Sequence, residues 1–321
     1  METENGVLRD LGRGSYAYLQ RDGSWGWSNS GLVVDGGHAL MVDTLFDLRL
    51  TRDLLDAYGR VLPPGAAIET LVNTHANGDH TFGNQLVRGA RIVATRSAAE
   101  EMTRVPPAAL AALMRAAPES GLAGEFLQRI FGPFDFEDIA LTLPDETFTG
   151  ETTLHVGGKE VRLIEVGPAH TGGDALVHVP GDRLLYAADI LFVGGHPVMW
   201  EGPLDNWVGA LDLILGLDLE TIVPGHGPLT DSAGVARLKD YLLYLDREAR
   251  PRYEAGLSPL EAALDIPLGD YADWGEAERV VVNVETLFRG YSGGERRGAA
   301  ELFAAMAEFE RRRGSAAARP A

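Results

Sequence analysis

The chain contains no cysteine among its 321 residues. That removes disulfides, iron–sulfur clusters, thiolate zinc ligands and cysteine nucleophiles from consideration, and any metal must be held by His, carboxylate and amide groups. Lysine is almost as scarce, with only Lys159 and Lys239. The 28 basic residues face 47 acidic ones, a formal net charge of −19, and no basic segment offsets the excess. Nucleic acid and anionic membrane are poor partners for such a field. No apolar run approaches the length of a membrane span, and METENGVLRDLGRG lacks the basic start and apolar core of a signal peptide, so a cytoplasmic location is expected. There is no solenoid-type repeat and no long linker.

What is present is a hydrophobic content of 45%, enough for a large core. Residues 15–22 and 31–43 read as strands of a meander, the second run interrupted by a Gly36-Gly37 turn, with SWGWSNS as an exposed hairpin loop between them. Trp25 and Trp27 on that loop suit half-buried packing and a substrate flap alike. A helix is expected over 49–58, with Leu50, Leu54 and Leu55 on one face. Residues 91–95 read as a strand, and Ser97 as the cap of a helix that stops before Pro106-Pro107. Helical spacing over 108–130 is broken around Pro118 and Gly121, followed by rings at Phe131, Phe134 and Phe136 whose expected work is core packing. Strand patterns return at 147–156, 161–166, 175–179 and 183–187. A helix over 206–216 and a strand over 221–223 follow. From 232 the chain is helical, over 235–247, 258–264, 277–289 and 295–313, and the final GSAAARPA is expected to fray.

The densest chemistry lies in NTHANGDHTFGN, Asn73 to Asn84, where His75, Asn77, Asp79 and His80 fall within six residues of one another. The apolar residues Ile68, Leu71 and Val72 predict a buried strand ending at Asn73, Gly78 lets the chain turn, and 81–87 can open a helix. Side chains on a tight turn at a strand end can converge on one point, as metal ligands must. Three more ligand-type residues share that setting, each just after a β-like run. They are His170 after VRLIEVGPA, Asp189 after RLLYAA and His226 after TIVPG. His38, His155 and His178 read as structural. His196, in HPVMW, brings Met199, Trp200 and Trp207 toward the same rim, where substrate contact and plain packing both fit.

The motifs THANGDH, AHTGGD, AADILF and PGHGP, with the earlier VDT, resemble in order those of the metallo-β-lactamase superfamily, over about Gly31 to Pro228. The resemblance implies an α/β (α+β) fold, an αββα four-layer sandwich of two mixed β-sheets. Residues 1–231 would form the catalytic domain with a helical insert at about 97–135, followed by a helical extension over 232–313 and a disordered tail over 314–321. It further implies up to two metal ions, with zinc expected and iron or manganese as the other candidates. His75, Asn77 and His170 would hold the first, Asp79, His80 and His226 the second, and Asp189 would bridge them. Asp43 would support the ligands by hydrogen bonding. Asn77 departs from the HxHxDH pattern, and a neutral amide oxygen is a weaker zinc ligand than imidazole. The first site is therefore expected to be loose, or Asn77 to donate a hydrogen bond to substrate instead.

The chemistry implied is hydrolysis by a zinc-bound hydroxide at an ester-like carbonyl (thioester, lactone or related), with Asp79 orienting the nucleophile and metal or Asn77 stabilising the oxyanion. Trp25, Trp27, His196, Trp200 and Trp207 are the expected contacts of a bulky small-molecule substrate. HANGDH together with GGHPVMWEGPLDNW also resembles the thioesterases and cyclases of bacterial aromatic polyketide pathways. A carrier-protein or CoA thioester is a candidate on that reading, with Arg247, Arg250 and Arg252 receiving an acidic carrier. An iron-dependent oxidoreductase of the persulfide dioxygenase kind and a metal-poor binding protein are the alternatives.

Overall fold

The structure, a computed structural model, describes residues 1–21 and 23–317. The chain starts with four antiparallel strands, β1 (Gly6–Gly12), β2 (Ser15–Gln20), β3 (Ser30–Asp35) and β4 (His38–Val42). After α1 (Leu48–Gly59), β5 (Ala67–Val72) adds parallel to β4. Next come the short helix α2 (Gly78–Thr81) and β6 (Arg91–Thr95), then α3 (Arg96–Met102), α4 (Pro107–Ala116) and α5 (Gly121–Phe131). The three-residue β7 (Glu146–Phe148) closes a seven-stranded sheet in the order β1 to β7.

A second sheet holds β8 (Glu151–Val156), β9 (Lys159–Glu165), β10 (Ala175–Val179), β11 (Leu184–Phe192) and, after α6 (Leu204–Leu215), β12 (Thr221–His226). β8 to β11 are antiparallel neighbours and β12 is parallel to β11. Both sheets are thus mixed. Four more α-helices follow: α7 (Ser232–Glu254), α8 (Pro259–Asp265), α9 (Arg279–Ser292) and α10 (Ala299–Ala317).

Side chains alternate across a strand, so each sheet sorts its residues between two faces. Val33, Leu40, Val72 and Val93 of the first sheet meet Leu163, Val177, Tyr186 and Val223 of the second in one buried cluster between the sheets. Their sequence neighbours Leu32, Met41, Leu71, Leu176, Leu185 and Ile222 join the helices in the outer cluster. Tyr58 of α1 donates to Ser30 Oγ on β3 at 3.0 Å, tying that helix to the first sheet. The arrangement is the expected four-layer α+β sandwich, with the helical extension present.

Several local readings change. β1 precedes the expected meander; its partner register on β2 buries only Gly6 and Leu8, too little alternation to stand out in the sequence. The run read as one strand over 147–156 is two, β7 and β8, in different sheets, because Gly150 at φ +71° turns the chain between them. Thr95, not Ser97, caps α3, its Oγ1 accepting from Ala98 N at 3.1 Å. The helix expected over 81–87 is α2 at 78–81 followed by a single 3-10 turn at 84–86. The last helix continues to Ala317 where fraying was expected from 314. Residues 318–321 of that tail, and Asp22 at the end of the strand read over 15–22, lie outside the described residues.

Candidate metal centre and adjoining cavity

At one edge of the sandwich Asp43 after β4, His75 after β5, Asp189 within β11 and His226 at the end of β12 come together. β5 ends at Val72, and Asn73 N still bonds Val93 O at 2.9 Å, so the turn that follows starts from a fixed strand end. Asn77 is the N-cap residue of α2, but its side chain makes no capping bond. An N-cap asparagine usually gives its oxygen to the helix. Here the amide faces His170, with Nδ2 3.1 Å from Nε2, and a half-turn of the amide exchanges its nitrogen and oxygen.

Asp43 sits at φ +60° and Ala188 at φ +45°, both left-handed positions for residues that carry a Cβ. Such strain is tolerated where the surroundings hold a side chain in a required place. Asp43 Oδ1 accepts Thr74 N at 2.8 Å and Oδ2 accepts Thr74 Oγ1 at 2.7 Å. A Cβ at Gly225 would overlap Asp189 Oδ1, so only glycine lets β12 pass this close to the carboxylate.

Around Asp189 the ring nitrogens converge. His80 Nε2 lies 3.1 Å from Oδ1, and His170, His226 and His75 Nε2 lie 3.2, 3.5 and 3.8 Å from Oδ2. His226 Nε2 is also 3.3 Å from Asp79 Oδ2. Two groups of donors close tightly enough to hold a cation, His75–His80–Asp189 and Asp79–His80–His226, each with its ligand atoms within 4.8 Å of one another. His75 Nε2 is buried without a hydrogen-bond partner, and His80 Nε2 and Asp189 Oδ1, also buried, meet as an ion pair without hydrogen-bond alignment. Buried polar atoms left this way are costly, and a divalent cation among them fits the donor set.

Outer contacts fix which nitrogen faces inward. His80 Nδ1 is 2.9 Å from Asp43 Oδ2, and His170 Nδ1 donates to Val198 O at 2.7 Å. The charges are strongly coupled through space. Burial disfavours charge on His80, yet Asp189, Asp79 and Asp43 hold its pKa well above the ordinary value. His226 is likewise pushed up to about 9 by Asp189 and Asp79 against its burial. Burial and the neighbouring His80 push His75 well down. Burial would raise Asp189, but the surrounding histidines hold it well below the usual carboxylate range. Burial raises Asp43 despite His80 beside it.

The structure brings together all seven residues expected as ligands, with one change of grouping. Asp79, His80 and His226 form one set as read. His75 closes with His80 and Asp189, while His170 turns toward Asn77 and Asp189.

Against this edge lies a cavity of about 390 Å³, bordered by Asn77, Asp79, Asp189 and His226 on one side and elsewhere mostly by apolar groups, with the charged Glu101, Arg279 and Arg296 among them. Trp25, Trp200 and Phe303 stand in a triangle with ring centroids 6.1–6.2 Å apart. Of the five expected substrate contacts, Trp25 and Trp200 border the cavity and three do not. Trp27 packs on Phe134 at 4.9 Å. Trp207 is fully buried, its indole donating to Ile190 O at 2.9 Å. His196 is buried against Tyr241, with Nδ1 3.0 Å from the phenol oxygen, and burial and Arg279 push its pKa down to about 3. SWGWSNS is no exposed hairpin tip, for Trp25 is buried and its indole donates to Glu278 at 2.7 Å. Phe131 borders the cavity, whereas Phe134 and Phe136 pack on Phe46 as core.

The sequence reading missed the outer wall. Leu110 and Leu113 come from α4, Arg279 from α9, and Arg296, Ala300 and Phe303 from the chain entering α10. Only the amphipathic spacing of those helices hinted at them, and it does not say against what they pack. The expected arginine cluster is already matched by carboxylates: Arg252 pairs with Glu248 and Asp265, and Arg250 and Arg247 approach Asp246 and Glu248.

Comparison with known proteins gives a consistent result. The metallo-beta-lactamase superfamily model matches residues 23–226. Hydroxyacylglutathione hydrolase of Rhizobium meliloti (strain 1021) is 26% identical over 175 residues, 54% of this chain and 52% of that protein. The alpha subunit of 2,4-dinitroanisole O-demethylase from Nocardioides sp. (strain JS1661) is 34% identical over 82 residues, 25% of each chain. The chain spans about half the length, or less, of the curated relatives it matches. The stereoselective inverting sec-alkylsulfatase Pisa1 from Pseudomonas sp. superposes with a TM-score of 0.67 at 18% identity, covering 92% of this chain and 52% of that one. DIM-1 metallo-beta-lactamase gives 0.54 at 19%, covering 74% and 97%. At these identities the two structures speak for the fold.

Proposed function

Because this chain belongs to the metallo-β-lactamase superfamily, we propose that it is a metal-dependent hydrolase of an ester-like carbonyl, thioester, lactone or related, in a bulky apolar small molecule. The observation that carries the reading is the convergence of the buried donors His75, His80 and Asp189, and of Asp79, His80 and His226, directly behind the Asp79, Asp189 and His226 that border a mostly apolar cavity. His75, His80, His170, His226, Asp79 and Asp189 would hold one or two divalent ions, zinc by the chemistry of the donors. When bound, such an ion supplies water ionised near neutral pH and polarises a carbonyl oxygen.

The chain's own groups do the rest. Asp79 borders the cavity with its carboxylate on His226 and held ionised, burial being outweighed by His80 and His226. It accepts and orients the proton of the attacking water. Asn77, free of its capping duty, donates its amide N–H to the oxygen on which charge develops. Trp25, Trp200, Phe131 and Phe303 exclude bulk water, which strengthens both interactions. An aromatic wall around about 390 Å³ suits a bulky acyl or polycyclic group, so cyclisation of an aromatic polyketide thioester is the closest variant of the same reading.

The test is hydrolysis of a panel of bulky thioesters and lactones by protein of measured metal content. A metal-replete protein that cleaves none of them would rule the reading out, and cleavage that disappears with chelation and returns with zinc supports it.

A further inference from the structure

Three charged groups that border the cavity take no part in the metal centre, and two of them are already engaged, Arg296 with Glu201 at 2.8 Å and Glu101 with Gly172 N at 3.0 Å. Arg279, the first residue of α9, is buried yet borders the cavity. Its guanidinium carbon stands 4.3 Å from the ring centroid of Trp25 and 5.6 Å from that of Phe192. Nη1 donates to His196 O at 3.0 Å, while the buried Nε has no hydrogen-bond partner. Phe192 in turn stacks on His226, centroids 5.2 Å apart and planes 1° from parallel. A single ring therefore separates this cation from the candidate metal ligands.

Aromatic faces stabilise a buried cation without cancelling its charge. The charges that act on Arg279 are Glu276, Glu278, Asp189 and Asp79. Glu276, the strongest of these, partly offsets the cation, whereas Glu278 accepts the Trp25 indole N–H and Asp79 and Asp189 face the histidines. Beside an apolar wall, a guanidinium attracts an oxyanion far more strongly than it would in water, and its planar donors suit carboxylate-like geometry.

We propose that Arg279 selects substrates carrying an oxyanion group a few bonds from the carbonyl under attack, an anionic amphiphile whose apolar body lies against α4 and Phe303. The word "substrate" rests on the hydrolytic reading above, whereas the oxyanion preference is a binding property that needs no turnover. Arg279 is thus a specificity-determining residue.

Binding of decanoate and of its neutral analogue decanamide to metal-loaded protein, followed by tryptophan fluorescence, tests this directly. Wild type is expected to bind decanoate at least about tenfold more tightly than decanamide, the factor that one charge-assisted hydrogen bond in a desolvated site corresponds to. Arg279→Met and the more conservative Arg279→Gln should lose about that factor for decanoate and none for decanamide, and Arg279→Lys should retain part of it. Absence of the preference in wild type, or its survival in the folded Gln or Met variant, overturns the proposal. Turnover separates the two claims. With para-nitrophenyl hexanoate and the para-nitrophenyl monoester of adipate, Arg279→Gln should raise KM for the anionic ester alone and leave kcat in place. If neither ester is cleaved while decanoate binding still depends on Arg279, the hydrolytic reading fails and the oxyanion site stands.

Discussion

Asp43 Oδ2 lies 2.9 Å from His80 Nδ1, and that contact decides which nitrogen His80 turns toward Asp189. The carboxylate is itself fixed by the Thr74 amide and hydroxyl. His80 belongs to both donor groups, so it is the ring whose orientation matters most. Asp43→Ala should therefore weaken metal binding about 10–100-fold, the usual effect of removing a group that orients a ligand. Competition with a chelator of known affinity measures it, and an unchanged affinity would mean that packing alone sets the His80 tautomer.

Asn77→His should increase the metal retained after mild chelation. The substitution places a stronger zinc donor where an amide now faces His170 Nε2 at 3.1 Å. Elemental analysis of both proteins after the same chelator treatment checks this. Two ions held equally well by wild type would show that the amide does not limit the site.

The pH dependence of the metal-free protein has a definite sign. Folded His226 titrates at about 9 and His80 well above its ordinary value, against 6.5 for an exposed imidazole. Raised histidine pKa values mean that the folded chain binds protons the unfolded chain has released. Their contribution to stability is fully present below pH 6.5 and is lost as pH rises through about 9. Metal must displace the same protons, so its affinity rises over that window. Melting of chelated protein should shift down between those limits while zinc affinity rises, and an upward shift of the chelated melt would contradict the charge assignment.

The buried aromatic residues separate into two kinds. Trp207→Ala removes a fully buried indole and its bond to Ile190 O and should cost about 3–5 kcal/mol of stability, with metal ligands untouched. Trp200→Ala opens the cavity wall and should change discrimination between small and bulky substrates more than metal content. Thermal melts, zinc content and a substrate panel measured side by side distinguish them. Equal losses on every substrate from Trp200→Ala would mean that this ring only packs.

The candidate metal centre was legible because its donors lie on or close after strands, His75 after β5, Asp189 within β11 and His226 closing β12, where local pattern reports position. The run before Asn73 and the glycine next to His226 could be read directly from neighbouring residues. Local pattern also misled. His196 and Trp207 lie in segments close to the site, yet Tyr241 and the Ile190 carbonyl hold them away from the cavity. Alternation alone carried the strand reading past Gly150, where the chain changes sheets. The outer wall left only the amphipathic spacing of its helices, which does not say what they pack against. Trp25 meets Glu278 across 253 residues, and Phe303 reaches Trp200 from the last helix, contacts that only tertiary packing determines.

The claim on which the rest depends is that the converging histidines and carboxylates form a metal centre. Metal content of purified wild type and of His80→Ala, determined by elemental analysis after reconstitution with zinc and removal of the excess, tests it most directly. The account predicts at least one tightly held ion per chain in wild type and none in His80→Ala, because both donor groups share that ring. Wild type without bound metal, or His80→Ala with the same content as wild type, would contradict it.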